Sequence, residues 1–149
     1  MRCAVLPKAK MLRIGLVSCS KLKLGKPTRA RDLYISSLFC SSRAWVEANC
    51  DAWYILSAQH GLLNPNMHTL PYERTLNALT RTERIRWAKC VYQQLNIAGL
   101  LHSNVEFVWL AGRRYKDPLS FYLADYTQSD PLIGLGIGKR LRWLKNAIR

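Results

Sequence analysis

The sequence predicts an α/β fold of three layers, with a mostly parallel central sheet covered by helices on both faces. Three observations carry this expectation. Apolar runs rich in β-branched and aromatic residues, at Leu12–Val17, Trp53–Leu56 and Val105–Ala111, alternate with longer stretches of helical periodicity, the order of βαβ units. The runs hold few polar residues, as strands buried on both faces do. Each run ends in small, polar or glycine residues: Ser18-Cys19-Ser20-Lys21, Ser57-Ala58-Gln59-His60-Gly61-Leu62-Leu63, and Gly112. In open α/β sheets, ligands sit at such carboxyl ends.

Residues 1–11 read as a basic extension, with Met11 an alternative start, and residues 12–149 as one domain long enough for its own core. Leu12–Ser18 is the first strand, and Cys19 to Thr28 is a basic loop marked by Gly25 and Pro27. From Arg29 to Asn49 the pattern turns helical. Leu33, Leu38, Trp45 and Val46 share a face, and the serine-rich middle allows a break. Trp53–Ser57 is the second strand. Gly61 to Thr75 is loop, punctuated by Pro65 and Pro71. Thr80-Arg81-Thr82-Glu83 forms a capping box. The helix behind it runs to about Leu101, with Ile85, Ala88, Val91, Tyr92 and Leu95 as its apolar stripe. Val105–Ala111 is the third strand, Arg113 to Asp125 is helix-like, and Asp130 to Gly138 is loop with glycines at 134, 136 and 138. The last helix, Lys139 to Ile148, is basic, with Leu141, Leu144 and Ile148 on one side.

Lys and Arg number 23 against 9 Asp and Glu, a net charge of +14. Such an excess favours a polyanionic partner, nucleic acid first, over a merely soluble basic protein. It is clustered in two acid-free stretches, one with Lys21, Lys23, Lys26, Arg29 and Arg31, the other with Lys139, Arg140, Arg142, Lys145 and Arg149. Two such clusters could bracket a groove and contact phosphates. No apolar run is long enough to cross a membrane. No signal-peptide apolar region follows the basic start, because Arg13 interrupts. The five cysteines are odd in number and show no Cys-x-x-Cys spacing, which argues against a zinc site or disulfide framework and for a reducing cytoplasm. Cys40, Cys50 and Cys90 are expected as small core residues. No metal or cofactor is indicated.

The motif order is specific taken together. It runs Val17-Ser18-Cys19-Ser20-Lys21, Asp32-Leu33-Tyr34-x-Ser36-Ser37-Leu38-Phe39, Ile55-Leu56-Ser57-Ala58-x-x-Gly61-Leu62, Pro71-Tyr72-Glu73 and Leu110-Ala111-Gly112-x-x-Tyr115, closed by Gly134-Leu135-Gly136-Ile137-Gly138. Over about residues 12 to 145 it resembles a family of small bacterial and phage proteins of unknown function, distantly similar to the YaaA peroxide-stress proteins. The resemblance implies a fold like that of uracil-DNA glycosylases and a link to nucleic-acid bases, with relatives that excise or process modified bases in phage defence. It carries over Cys19, Ser20, Lys21, Tyr34, Ser57, His60, Gly61, Tyr72, Glu73, Gly112 and Tyr115. Gln59 departs from the lysine expected at its position. The glycosylases' water-activating motif is not recognisable, so the fold likeness does not transfer their chemistry.

Glu73 is the first candidate for catalysis. Base excision needs a carboxylate to orient a water or to stabilise positive charge growing on the sugar; the competing reading is an ion pair with Arg74. Asp32, near a helix start, is the second carboxylate, with capping as its alternative. His60 follows a strand end and could donate a proton or hydrogen bond to the leaving base, or simply be packed. Cys19, before Lys21, could be a nucleophile, but phosphate or base contact by Ser18, Ser20 and Lys21 is the favoured reading of that turn. Tyr34, Tyr72 and Tyr115 could stack on an extruded base or serve the core. The glycine run before the last helix could approach a phosphate, without dinucleotide or Walker spacing.

Three functions stay open. The first is a nucleic-acid-directed enzyme cleaving or exchanging an N-glycosidic bond, DNA favoured over RNA. The second is a non-catalytic binding module for damaged or modified nucleic acid. The third is a nucleoside or nucleotide hydrolase or transferase.

Overall fold

The computed structural model describes residues 11–147. The basic extension, Cys3, Ile148 and Arg149 lie outside the described residues, apart from Met11. The elements in chain order are β1 (Leu12–Ser18), β2 (Thr28–Arg29), α1 (Ala30–Leu33), α2 (Ser37–Asn49), β3 (Ala52–Ser57), β4 (Gly61–Leu63), β5 (His68–Thr69), a 3-10 turn at Leu76–Ala78, α3 (Arg81–Ile97), β6 (Val105–Leu110), α4 (Arg113–Tyr122), β7 (Thr127–Ser129) and α5 (Ile137–Ala147).

Five strands form one sheet in the order β4-β3-β1-β6-β7, and β2 and β5 form a small antiparallel pair. β1 lies at the centre. It pairs in parallel with β3, Val17 opposite Ile55, and with β6, Val17 opposite Leu110. β7 is parallel to β6, and only β4 runs antiparallel, as the return arm of a hairpin from β3. Two apolar cores flank the sheet. One gathers Ile14, Leu16 and Leu56 with Trp87, Val91 and Leu95 of α3 and Leu119 of α4. The other gathers Val17, Ile55 and Val108 with Phe39, Trp45 and Val46 of α2 and Leu144 of α5. The architecture is therefore α/β, a mostly parallel sheet with helices on both faces, as the buried apolar runs predict.

Several boundaries differ from the sequence reading, each for a local reason. The expected helix 29–49 splits at Tyr34 and Ile35. Arg29 instead pairs in β2, Tyr34 is extended, and Ser36 caps α2 by accepting from Phe39 N at 3.2 Å. The loop 61–75 contains β4 and β5, too short to leave a periodic pattern. α3 ends at Ile97, because Gly99 adopts φ +74°. α4 ends at Tyr122, and β7 follows where the sequence suggests continued helix. α5 starts at Ile137, two residues before Lys139. Its side chain Leu144 is buried while Leu141 is half-buried. The capping box at Thr80 and Glu83 forms as expected. On α3, however, Ile85 is exposed and Trp87 takes the core position. Cys40 and Cys90 are exposed and Cys50 is half-buried, so the expectation of core cysteines fails for the first two. Burial pushes the Cys50 thiol up to about 11.

α2 sits close on the sheet because β1 offers Gly15 beneath it. A Cβ there would lie 2.7 Å from Val46 Cγ1 and 3.2 Å from Trp53 Cβ. Gly15→Val should therefore cost about 1–3 kcal/mol through overpacking. A lower urea midpoint at unchanged slope would show it. Gly138→Ala, at a position open to solvent, should leave the unfolding free energy from the same titration within about 0.5 kcal/mol of the wild type.

Candidate functional site

The chain leaves β1 toward β3 on one side and returns through α3 to β6 on the other side of β1. Strand order thus reverses beside β1, and the carboxyl ends of β1 and β6 diverge there, the position at which open α/β sheets bind ligands. A cleft of about 490 Å³ occupies the place. Ser18, Cys19 and Ser20 follow β1 into it, Ala111 and Gly112 follow β6, and Ser36 and Ser42 reach it from the α2 side. Gly112 is the N-cap of α4, with no side chain capping the helix. The amides of Arg113 and Arg114, the first of α4, receive no side-chain cap; Tyr115 N donates to Gly112 O at 3.0 Å, and Gly112 N to Ser18 Oγ at 3.4 Å.

Beside the cleft, at the end of β3, hydroxyls from three segments meet. Ser57 is fully buried. Its Oγ lies 2.7 Å from Tyr72 Oη and accepts from the amides of Gln59 and His60, at 3.2 and 3.0 Å. Tyr72 Oη in turn lies 2.5 Å from Tyr34 Oη. Ser57 O accepts from Trp87 Nε1 at 2.8 Å, and the Trp87 ring meets Tyr115 edge to face. Tyr115 Oη lies 3.2 Å from Cys19 Sγ. Lys23 Nζ stands 4.5 Å from the centre of the Tyr72 ring and 5.8 Å from that of Tyr34, a cation over electron-rich faces. The sequence motifs at Cys19, Tyr34, Ser57, Tyr72 and Tyr115 therefore converge.

Burial sets the electrostatics. Tyr34, Tyr72 and Tyr115 all have phenols held above their ordinary value of 10.0, chiefly because burial disfavours the phenolate. The Cys19 thiol nearby pushes in the same direction for each. At neutral pH the cluster is a chain of neutral hydroxyl donors and acceptors.

The tyrosines do not form the stacking platform expected of them. Tyr34 is 1% exposed and Tyr115 7%. Tyr34 packs on Phe39 at 4.9 Å, and the ring of Tyr72 lies between Lys23 and the edge of His60. Their hydroxyls, not their faces, are what they present to the cluster.

Glu73 and His60 are both exposed; Glu73 follows Tyr72 in the chain, and the His60 ring lies 5.4 Å from that of Tyr72, in a groove separate from the cleft. Neither side chain takes part in a hydrogen bond or ion pair among the described residues, so the Arg74 ion pair does not form there. The backbone of His60 is firmly held. Gln94 donates to His60 O and accepts from Leu62 N, and Gly61 turns between them at φ +71°. Asp32 pairs with Arg43 at 2.8 Å, a structural use.

The basic candidates divide. Lys21, Lys26, Arg29, Lys139 and Arg142 are exposed. Arg31 binds Asn66, and Arg140 donates to Leu135 O and Ala111 O, fastening the glycine loop to the end of β6. Arg140 and Ser20 bring the ends of the two clusters to one cleft. Trp87 and Gln94 support the site without having been singled out from sequence. Their helical spacing from Val91 was the only available signal. Among the described residues no group of three or more His, Cys, Asp or Glu is placed to hold a metal ion.

Residues 14–146 match a family of unknown function, DUF6884, and the chain belongs to it. The chain is similar to the uncharacterized protein YfjM of Bacillus subtilis (strain 168), with 30% identity over 148 residues, covering 93% of this chain and 96% of that one. No solved structure matches the chain.

The raised phenols fix a pH dependence. The folded chain keeps protons that the unfolded chain releases near pH 10, so stability is fully present below that value and falls as pH rises above it. Absorbance titration should find three of the seven tyrosines un-ionised until the alkaline unfolding transition. Ser57→Ala should cost about 1–3 kcal/mol in denaturant unfolding, because it strands two amides and a phenol.

Proposed function

We propose that this DUF6884 protein acts on nucleic acid, DNA before RNA, and cleaves the N-glycosidic bond of a base, a modified one above all. One observation carries the reading: a ligand-sized cleft and a neutral hydroxyl chain lie together at the carboxyl ends of the central strands, in a chain of net charge +14. A volume of about 490 Å³ suits a nucleotide-sized ligand. Ser18, Ser20 and the first amides of α4 would hold a phosphate or base edge. Lys21, Lys23 and Lys26 with Lys139 and Arg142 would grip flanking phosphates.

In this reading, water bonds to the anomeric carbon as the carbon–nitrogen bond breaks. Glu73 takes the water proton and stabilises charge on the sugar, and His60 gives a proton to the departing base. Both side chains are exposed and free of hydrogen-bond and ion-pair partners among the described residues, which leaves them accessible to substrate. The likeness to YaaA proteins and to the uracil-DNA-glycosylase fold belongs to the same proposal, supported by the mostly parallel sheet and the motif order. So do a cytoplasmic setting and a role in phage defence; the four described cysteines are all free, as a reducing compartment requires. A non-catalytic binding module is favoured by one fact, that neither Glu73 nor His60 lines the cleft, His60 lining a separate groove with Arg74 and Gln94.

Base release separates the two. Incubated with DNA from phages carrying normal or hypermodified bases, the wild type should liberate free base detectable by mass spectrometry. Glu73→Gln should slow release by about 100-fold or more while retaining binding. Absence of release with salt-sensitive binding intact would overturn the enzymatic reading in favour of the module.

A further inference from the structure

On the far side of the cleft, between α3 and α4, a second groove of about 760 Å³ opens on the surface. It is lined by Arg81, Arg84, Arg113 and Arg114, against the single carboxylate of Asp117. That carboxylate approaches Arg113 only at 3.7 Å, with both side chains largely exposed, so it neutralises little. Arg84 is anchored, donating to Leu79 O at 2.6 Å. Arg81 and Arg114 form no ion pair among the described residues. Phe121 also lines the groove, and it is 79% exposed. Its edge-to-face neighbour Tyr122 leans on Tyr92, which fixes that side of the aromatic pair. Arg113 and Arg114 line both this groove and the cleft at the strand ends, so the two adjoin.

Four guanidinium groups, one of them anchored, beside a solvent-facing aromatic ring are a combination that suits single-stranded nucleic acid. The cations follow the phosphates and the ring takes an unstacked base. A folded duplex offers no free base face to Phe121, and a run of Asp and Glu offers carboxylates without a ring. We infer that the α3–α4 groove is the path of a single strand leaving the cleft, with Arg81, Arg84, Arg113 and Arg114 along its backbone and Phe121 stacked on a flanking base. The inference rests on the nucleic-acid reading of the cleft and adds to it the form of the substrate: the strand is single at the site. None of these five residues belongs to the two basic clusters that the sequence displays.

The test uses the full chain and fluorescein-labelled single-stranded oligonucleotides of about 15 nucleotides, with the corresponding duplex alongside. The wild type should prefer the single strand. Phe121→Ala, at an exposed position, should weaken single-strand binding by about 5- to 100-fold, in line with the loss of one stacked base, and leave duplex binding unchanged. Arg81→Ala should lower the slope of log affinity against log salt by about one contact's share. Bromouracil-substituted strands should photo-crosslink to the peptide that carries Phe121. Wild-type affinity in both variants, with crosslinks elsewhere, would overturn the groove assignment and leave the nucleic-acid reading standing. If the wild type binds neither single strand nor duplex at low salt, the nucleic-acid reading falls and the groove assignment falls with it.

Discussion

The hydroxyl of Ser57 is buried to the last ångström, and a buried polar group must find partners or destabilise the fold. Ser57 finds them in both directions. Its Oγ collects the amides of Gln59 and His60 and the phenol of Tyr72, and its carbonyl accepts from Trp87. These bonds fix the turn out of β3, draw the 71–75 loop down onto the sheet, and tie both to α3. Tyr72 then meets Tyr34, which ends the short helix α1 as an extended residue. The position of the candidate site thus follows from satisfying one serine at a strand end. The rest of the polar cluster is ordered outward from it.

The surroundings of that cluster explain its neutrality. Burial keeps the three phenols protonated, and Lys23 contributes its charge to ring faces and to Lys21 O instead of to a phenolate. The same economy governs the wider charge excess. Arg13 holds Asn49 O, Arg84 holds Leu79 O, Arg140 holds the glycine loop, and Arg43 bridges Asp32 and Glu47. A net charge of +14 therefore overstates the number of cations free to meet a ligand. Exposed cations without an ion pair among the described residues include Lys21, Lys26 and Arg29 of the first cluster, Lys139 and Arg142 on α5, and Arg81 and Arg114 in the α3–α4 groove.

The cleft depends on a second kind of constraint. Lys116 and Asp130 form a part-buried pair at 2.7 Å, and Asp130 also accepts from Leu132 N. Together with Arg140 they hold the 130–136 loop against the end of β6. One wall of the cleft is thus set by polar contacts between segments distant in sequence, and the other wall by the packing of α2 on Gly15.

The amino-acid order alone determined the alternation of buried strands and helices, the three polar strand ends, and the capping of α3. Each depends on neighbours in the chain: apolar runs must be covered, and Thr80 and Glu83 need only the backbone beside them. It also marked Cys19, Tyr34, Ser57, Tyr72 and Tyr115, because their motifs stand at or near strand ends. Only the tertiary structure decided that Tyr34 and Tyr72 turn their hydroxyls together while Tyr115 turns its own to Cys19, that Arg140 is fastened inward, and that Trp87 replaces Ile85 in the core. It alone disclosed the arginine groove, since Arg81 and Arg84 on one helix and Arg113 and Arg114 on another are some thirty residues apart. The physical reason is the same in each case. The direction in which a side chain points, and the charge it meets, are set by elements brought together across the sheet, and no local pattern encodes them.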